Sequence, residues 1–296
     1  MLRDGPWAST PRKIDRTTVR KPTPAAFRPA VEAPTIEVIP LIGDQKTRDR
    51  PGWCTYSDAF DSPELEVICG GINTKTATAA AVWRQGHLLH FGFDLSPDEM
   101  SEAGQHLLLN CVAYVARFAE DRPITHAPDR ALLRVGADRV TAKPEADKFY
   151  VEWYFPPALR KTGKADDWPA FQAWYKRHRA YLRADRGEGG SLVLDEEAMR
   201  FGTGPANPEF LPAAIAALGG GGEKADLAAA LLRRYAPDGP AGKDAAEWRG
   251  WWKENGPYLF FSESGWYRWY VDPLAKKRGV PSASLRGPDR AARPVK

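Results

Sequence analysis

The chain has 296 residues, 27% of them charged and 43% hydrophobic, enough for one large or two modest globular domains. It holds no run of 18 apolar residues, and residues 1–29 carry no apolar stretch of the kind a leader needs, which excludes a membrane-spanning helix and a recognisable signal peptide. The formal charge of +4 is uneven: residues 1–31 carry +5 and residues 276–296 carry +6, so the middle of the chain is −7. A nucleic-acid reader concentrates positive charge on its folded face, and this layout argues against specific nucleic-acid binding. Cys54, Cys69 and Cys111 are odd in number and lack ligand spacing, so neither a disulfide framework nor a metal site is expected, and nothing calls for a cofactor. Free thiols without an export signal favour a reducing, cytoplasmic setting.

Residues 1–34, with prolines at 6, 11, 22, 24, 29 and 34 and no apolar periodicity, read as a disordered basic tail. Residues 35–125 then turn to mixed α/β patterning. Thr35–Leu41 and Leu65–Cys69 are strand candidates, and the apolar runs Ala79–Arg84 and His87–Phe93 flank Gln85-Gly86 as a hairpin would. Ser96, Pro97 and Glu99 form a capping pattern that predicts a helix running to about Glu120. Its Met100, Ala103, Leu107, Cys111, Val115 and Phe118 recur at helical spacing on one stripe. Residues 126–165 read as a connector with one strand, Phe149–Phe155, stopped by Pro156-Pro157.

An internal repeat organises residues 166–285 as a helical domain. At an offset of 77, Phe171 falls on Trp248, Trp174 on Trp251, Tyr175 on Trp252, Tyr181-Leu182 on Tyr258-Leu259, Asp195 on Asp272 and Gly202 on Gly279. Each copy reads as an aromatic helix, then Tyr-Leu leading into an extended segment, then a short helix capped by Asp and ended by Gly. Between the copies, Pro208–Leu218 and Glu223–Tyr235 read as an Ala- and Leu-rich helical pair of the type that repeat proteins stack. Residues 286–296 read as a second disordered basic tail.

Four features invite a chemical reading. Cys69 follows a strand and precedes Gly70-Gly71, as a nucleophile elbow would, and His87 or His90 would supply its base; Val67 stands where the elbow wants glycine, so a plain strand-end cysteine fits better. His87 and His90 are three apart on a strand, facing opposite sides, so they do not make a metal pair. The run from Cys69 to Thr76 lacks the glycines of a phosphate loop. Finally, an extended Gly265–Val271 would align Trp266, Arg268 and Tyr270 on one face, a surface for a partner peptide or a carbohydrate.

Arg50-Pro51-Gly52-Trp53, Cys69 through Lys75, Trp83-Arg84-Gln85-Gly86 and Phe91-Gly92-Phe93 together resemble a family of uncharacterised bacterial proteins. Their α/β segment is similar to part of the ThuA-like, class I glutamine-amidotransferase-like fold. Trp248–Leu259, Trp266–Asp272 and Ala275–Leu285 resemble the helical-repeat part of such proteins. The resemblance implies a partial flavodoxin-like α/β segment followed by a mainly α-helical, HEAT-like repeat region, within an α+β or α/β class. It implies no intact machinery, because the elbow glycine is replaced and Phe93 stands where ThuA-like proteins carry histidine. The expected function is a non-catalytic interaction or scaffold protein with an unidentified protein partner and no membrane insertion. A Cys69-dependent hydrolase or amidotransferase and a carbohydrate-binding module around Trp266 are the alternatives.

Overall fold

A computed structural model describes residues 11–28, 31–42, 52, 54–56, 61–73, 77–125, 133–185 and 191–282. The chain divides into two compact units, residues 1–60 with 64–123, and residues 61–63 with 124–296.

In the first unit, β1 (Val19–Pro22) pairs antiparallel with β2 (Thr35–Val38). This corrects the disordered reading of residues 1–34 over its described part. Pro22 tolerates the strand because it closes it, and Thr23 locks the corner by donating to the Ala33 carbonyl at 2.6 Å. A small antiparallel sheet follows, of β3 (Thr55–Tyr56), β4 (Glu66–Gly70), β5 (Ala79–Gln85) and β6 (Leu88–Phe91). Strand β5 takes β4 along one edge and β3 then β6 along the other. Gly86 turns the β5–β6 hairpin at φ +56, where a side chain would also strike the Asp121 carbonyl. Every described pairing in this unit is antiparallel, whereas a flavodoxin-like segment is built on parallel strands.

The capping box at Ser96 and Glu99 forms, but it closes only a 3₁₀ turn at Pro97–Glu99. The helix, α1 (Glu102–Val115), begins one turn later with Ser101 as its cap and ends in a 3₁₀ turn at Ala116–Phe118. Its far end lies over the sheet: Tyr114 donates to Glu66 at 2.7 Å, and the Arg84 guanidinium sits 3.7 Å from the Phe118 ring centre.

The second unit opens with α2 (Leu133–Thr141), α3 (Lys148–Tyr154), α4 (Pro157–Gly163) and α5 (Trp168–His178). The hairpin β7 (Leu182–Ala184) and β8 (Leu192–Leu194) and the short α6 (Glu196–Phe201) follow. Then come α7 (Phe210–Leu218), α8 (Gly222–Tyr235), α9 (Ala245–Asn255), the hairpin β9 (Leu259–Ser262) and β10 (Arg268–Val271), and α10 (Pro273–Arg278). The strand expected at Phe149–Phe155 is α3 instead. Aromatic and Val content favours a strand there, but Asp147 caps the Tyr150 amide and the helical spacing of Val151 and Phe155 buries both.

Shifting the first half of this unit by 77 residues superimposes its elements on the second. Leu133–Thr141 lands on Phe210–Leu218, Trp168–His178 on Ala245–Asn255 and Glu196–Phe201 on Pro273–Arg278. The hairpin registers coincide residue for residue: Leu182↔Leu194 becomes Leu259↔Val271, and Ala184↔Leu192 becomes Phe261↔Trp269. The duplication therefore spans two modules, 133–202 and 210–279, and reaches further upstream than the aromatic and Tyr-Leu matches reveal. Two apolar clusters form, one around Phe155 and Phe171 that takes in Tyr267 of the second module, the other around Phe210, Leu232 and Trp248 that takes in Ala198 of the first. The β-hairpin in each module distinguishes it from a purely helical repeat. Among the described residues no helix is long and apolar enough to cross a membrane.

Candidate interaction surface

The residues singled out for chemistry are not assembled into a site. A bulge between Val67 and Cys69 sets Cys69 opposite Val82 and Phe91, whereas His90 stands in the adjacent row opposite Trp83, on which it stacks at 5.4 Å. Adjacent rows of a sheet point to opposite faces, so the Cys69 thiol and the His90 imidazole diverge. His87 lies at the turn with Nδ1 2.9 Å from the Asp121 carbonyl oxygen. Burial pushes the Cys69 thiol up, against the Val82 amide, and burial with the neighbouring Cys69 raises Cys111 to about 11. A nucleophilic thiol needs the reverse. The phosphate-loop positions Thr74, Lys75 and Thr76 lie outside the described residues, as does the tail 286–296.

The face expected from an extended Gly265–Val271 is also broken. Trp266 and Tyr267 take left-handed φ of 69 and 59, so the strand begins only at Arg268. The cause is the tight hairpin tip, where Asp61 binds the Ser262 and Ser264 hydroxyls at 2.7 and 2.5 Å and the amides of Glu263 and Ser264. Tyr267 consequently turns into the first module's apolar cluster. Trp266, Arg268 and Tyr270 are left half-buried, Tyr270 donating to the Gly265 carbonyl at 2.6 Å.

The ion pairs around Arg134 and Asp138 tie the second unit together. Arg134, nearly fully buried, pairs with both Glu263 oxygens and donates to the Arg179 and Leu182 carbonyls. Arg179 grips Asp138 bidentately at 2.6 Å, and Tyr175 donates to the same carboxylate at 2.8 Å. Burial and that carboxylate push the Tyr175 hydroxyl up. This network joins the hairpin tip of the second module to α2 and α5 of the first.

One face of α3 carries three exposed aromatic rings. Phe149 is 65% exposed, Tyr150 43% and Trp153 64%. The Phe149 and Trp153 rings stack one helical turn apart at 6.1 Å, and the Lys143 ammonium lies 5.2 Å from the Tyr150 ring centre. The second module places Asp226, Leu227 and Ala230 at these three positions, so the module folds without the aromatics. Buried counterparts do match: Val151 answers Ala228, and Phe155 answers Leu232. Sequence periodicity missed this face because a seven-residue helix is too short to show one.

The chain matches no family model, no curated protein and no solved structure. The surface must therefore be read from its own chemistry. The three rings sit on a helix capped by Asp147, and Glu152 of that helix accepts from Arg160 at 3.3 Å.

Proposed function

We propose that this protein is a non-catalytic interaction scaffold in which a duplicated, helix-rich module presents the α3 aromatic face to a protein partner. The carrying observation is the exposure of Phe149, Tyr150 and Trp153 at positions where the sister module holds Asp226, Leu227 and Ala230. The sister module folds with none of those rings, and clustered exposed aromatics are the residues that dominate protein–protein recognition. We read the second unit as a repeat scaffold related in principle to HEAT-like stacks, each module closed by a hairpin. The first unit is read as a degenerate ThuA-like or amidotransferase-like segment. The hairpin turned at Gly86 and followed by α1 supports that reading, and the divergence of Cys69 from His90 supports its degeneracy.

The test compares the full-length protein with a Phe149→Ala/Trp153→Ala variant of unchanged melting temperature. Partners captured from native lysate are purified, and their affinities for both proteins are measured by calorimetry. Loss of two anchor rings is expected to weaken binding on the order of 100-fold or more. Equal affinity for both proteins overturns the proposal.

A further inference from the structure

In the first unit, residues 12–14 lie along the outer side of α1, and side chains of that helix grip their main chain. The Asn110 side-chain amide donates to the Arg12 carbonyl at 2.8 Å, and its Oδ1 accepts from the Arg12 amide at 2.7 Å. One primary amide thus takes both main-chain groups of a single residue, as a neighbouring antiparallel strand would. One turn back, His106 Nδ1 donates to the Lys13 carbonyl at 2.9 Å. A carbonyl only accepts, so the imidazole carries a proton on Nδ1. His106 and Asn110 stand four apart and line one stripe of α1. Arg12 and Lys13 are exposed, whereas Ile14 is half-buried.

These three hydrogen bonds read main chain rather than side chains, so another extended segment fits the same stripe. The resident segment is also built to leave. Its hydrogen bonds to α1 are solvent-exposed, the class that opens at small free-energy cost. Downstream, Thr17 donates its amide and hydroxyl to the Asp15 carboxylate at 2.9 and 2.8 Å, a self-contained turn between the segment and β1. Release of residues 12–14 therefore leaves the pairing of β1 with β2 in place. Leu109, three residues on from His106, is 41% exposed, apolar area beside the stripe that a longer occupant can bury.

The geometry points to a peptide-docking site on α1 that residues 12–14 guard in cis. Its occupant in trans is an extended peptide offering an amide and a carbonyl at one residue, a carbonyl at the next and an apolar side chain after that. The site is independent of the α3 face. Its probe is a synthetic peptide of residues 9–16, titrated into the isotope-labelled full-length protein while the His106 ring and Leu109 methyl NMR signals are followed. In the native protein the tethered segment competes at an effective concentration on the order of millimolar. Arg12→Pro removes the amide from which Asn110 accepts, and Ile14→Ser weakens the apolar anchor, so each opens the site within the full chain. Both variants are expected to keep the native melting temperature and to bind the probe at least ten-fold more tightly than the native protein does. A probe with alanine at both 12 and 13 is expected to bind within two-fold of the parent, and one N-methylated at the Arg12 amide at least ten-fold more weakly. Adding Asn110→Ala to Arg12→Pro is expected to abolish binding. Equal binding to the native protein and to both variants overturns the guard. Loss of binding by the double-alanine probe overturns the main-chain readout, and undiminished binding after Asn110→Ala overturns the site.

Discussion

Asp195 and Asp272 occupy one structural position 77 residues apart. Each caps a six-residue helix closed by a left-handed glycine, and each donates its amide to a tyrosine carbonyl, Tyr181 at 2.9 Å and Tyr258 at 2.8 Å. Their side chains differ in company. Among the described residues Asp272 accepts only from helix amides, whereas Asp195 also accepts from Arg183 at 3.1 Å, Arg234 at 2.7 Å and Tyr235 at 2.6 Å. Arg234 and Tyr235 come from α8, so the first module's last helix is stapled to the second module's helical pair.

That difference sets unequal costs. Asp272→Ala removes a cap and is expected to destabilise by about 1 kcal/mol. Asp195→Ala leaves the buried Tyr235 hydroxyl without its acceptor and Arg183 without its carboxylate, although Arg234 keeps Glu197, and is expected to cost roughly 2–4 kcal/mol in urea unfolding at pH 7. Burial alone would raise the Asp195 carboxyl, but the Tyr235 hydroxyl, the Ala198 amide and Arg234 outweigh it and hold the group below its ordinary value. A depressed carboxyl stabilises the fold above its unfolded value and loses that contribution as pH falls through its folded one. The Asp195→Ala penalty should therefore shrink below about pH 4. A penalty equal to that of Asp272→Ala, or one that does not change with pH, would sink the staple.

The Arg134–Glu263 pair is a second staple of different chemistry. The sister module has Leu211 at the position of Arg134, and it is buried equally well. Arg134→Leu alone leaves the Glu263 carboxylate only the Arg179 guanidinium at 3.9 Å and is expected to cost roughly 2–3 kcal/mol by chemical unfolding. Adding Glu263→Gln should recover at least half of that, because a neutral amide no longer demands a cation. A double variant no more stable than the single one would show that the pair is worth more than the charge it hides.

The duplication is legible in sequence only where both copies face the same demand. Asp195 and Asp272 must cap, Gly202 and Gly279 must turn left-handed, and Tyr181 and Tyr258 must enter a strand, so these residue types persist. The upstream helices α2 and α7 share a burial pattern but not residues. Arg134 and Leu211 are equally buried, one satisfied by Glu263 and the other by apolar neighbours, and a comparison of letters cannot see that equivalence. The aromatic content of the second unit is visible in sequence, yet which rings are sunk and which exposed is not. Tyr267 is buried by a backbone conformation that only the Asp61-bound hairpin tip imposes, while Phe149 and Trp153 are exposed because Asp147 starts a helix where the local propensities favour a strand.

The three thiols should react in an order fixed by burial. Cys54 is exposed, Cys69 is half-buried with its thiol pushed up, and Cys111 is buried with its thiol raised to about 11. Iodoacetamide labelling at pH 7.5, read by peptide mass spectrometry, is expected to modify Cys54 first and to leave Cys69 and Cys111 largely intact in the folded protein. Preferential labelling of Cys69 would reveal an activated thiolate and restore the catalytic alternative for the first unit.

The α3 helix supplies an internal comparison between rings that hold the fold and rings that do not. Phe155 is fully buried, its ring edge-on to Phe171 at 4.9 Å, and Phe155→Ala is expected to cost about 3–5 kcal/mol. Trp153, two residues earlier, meets mainly water and Phe149, so Trp153→Ala should change stability by no more than about 0.5 kcal/mol. Urea unfolding of the two single variants separates these outcomes. Should Trp153→Ala prove as costly as Phe155→Ala, the ring is already covered in the native protein, and its exposure would no longer argue for a docking surface.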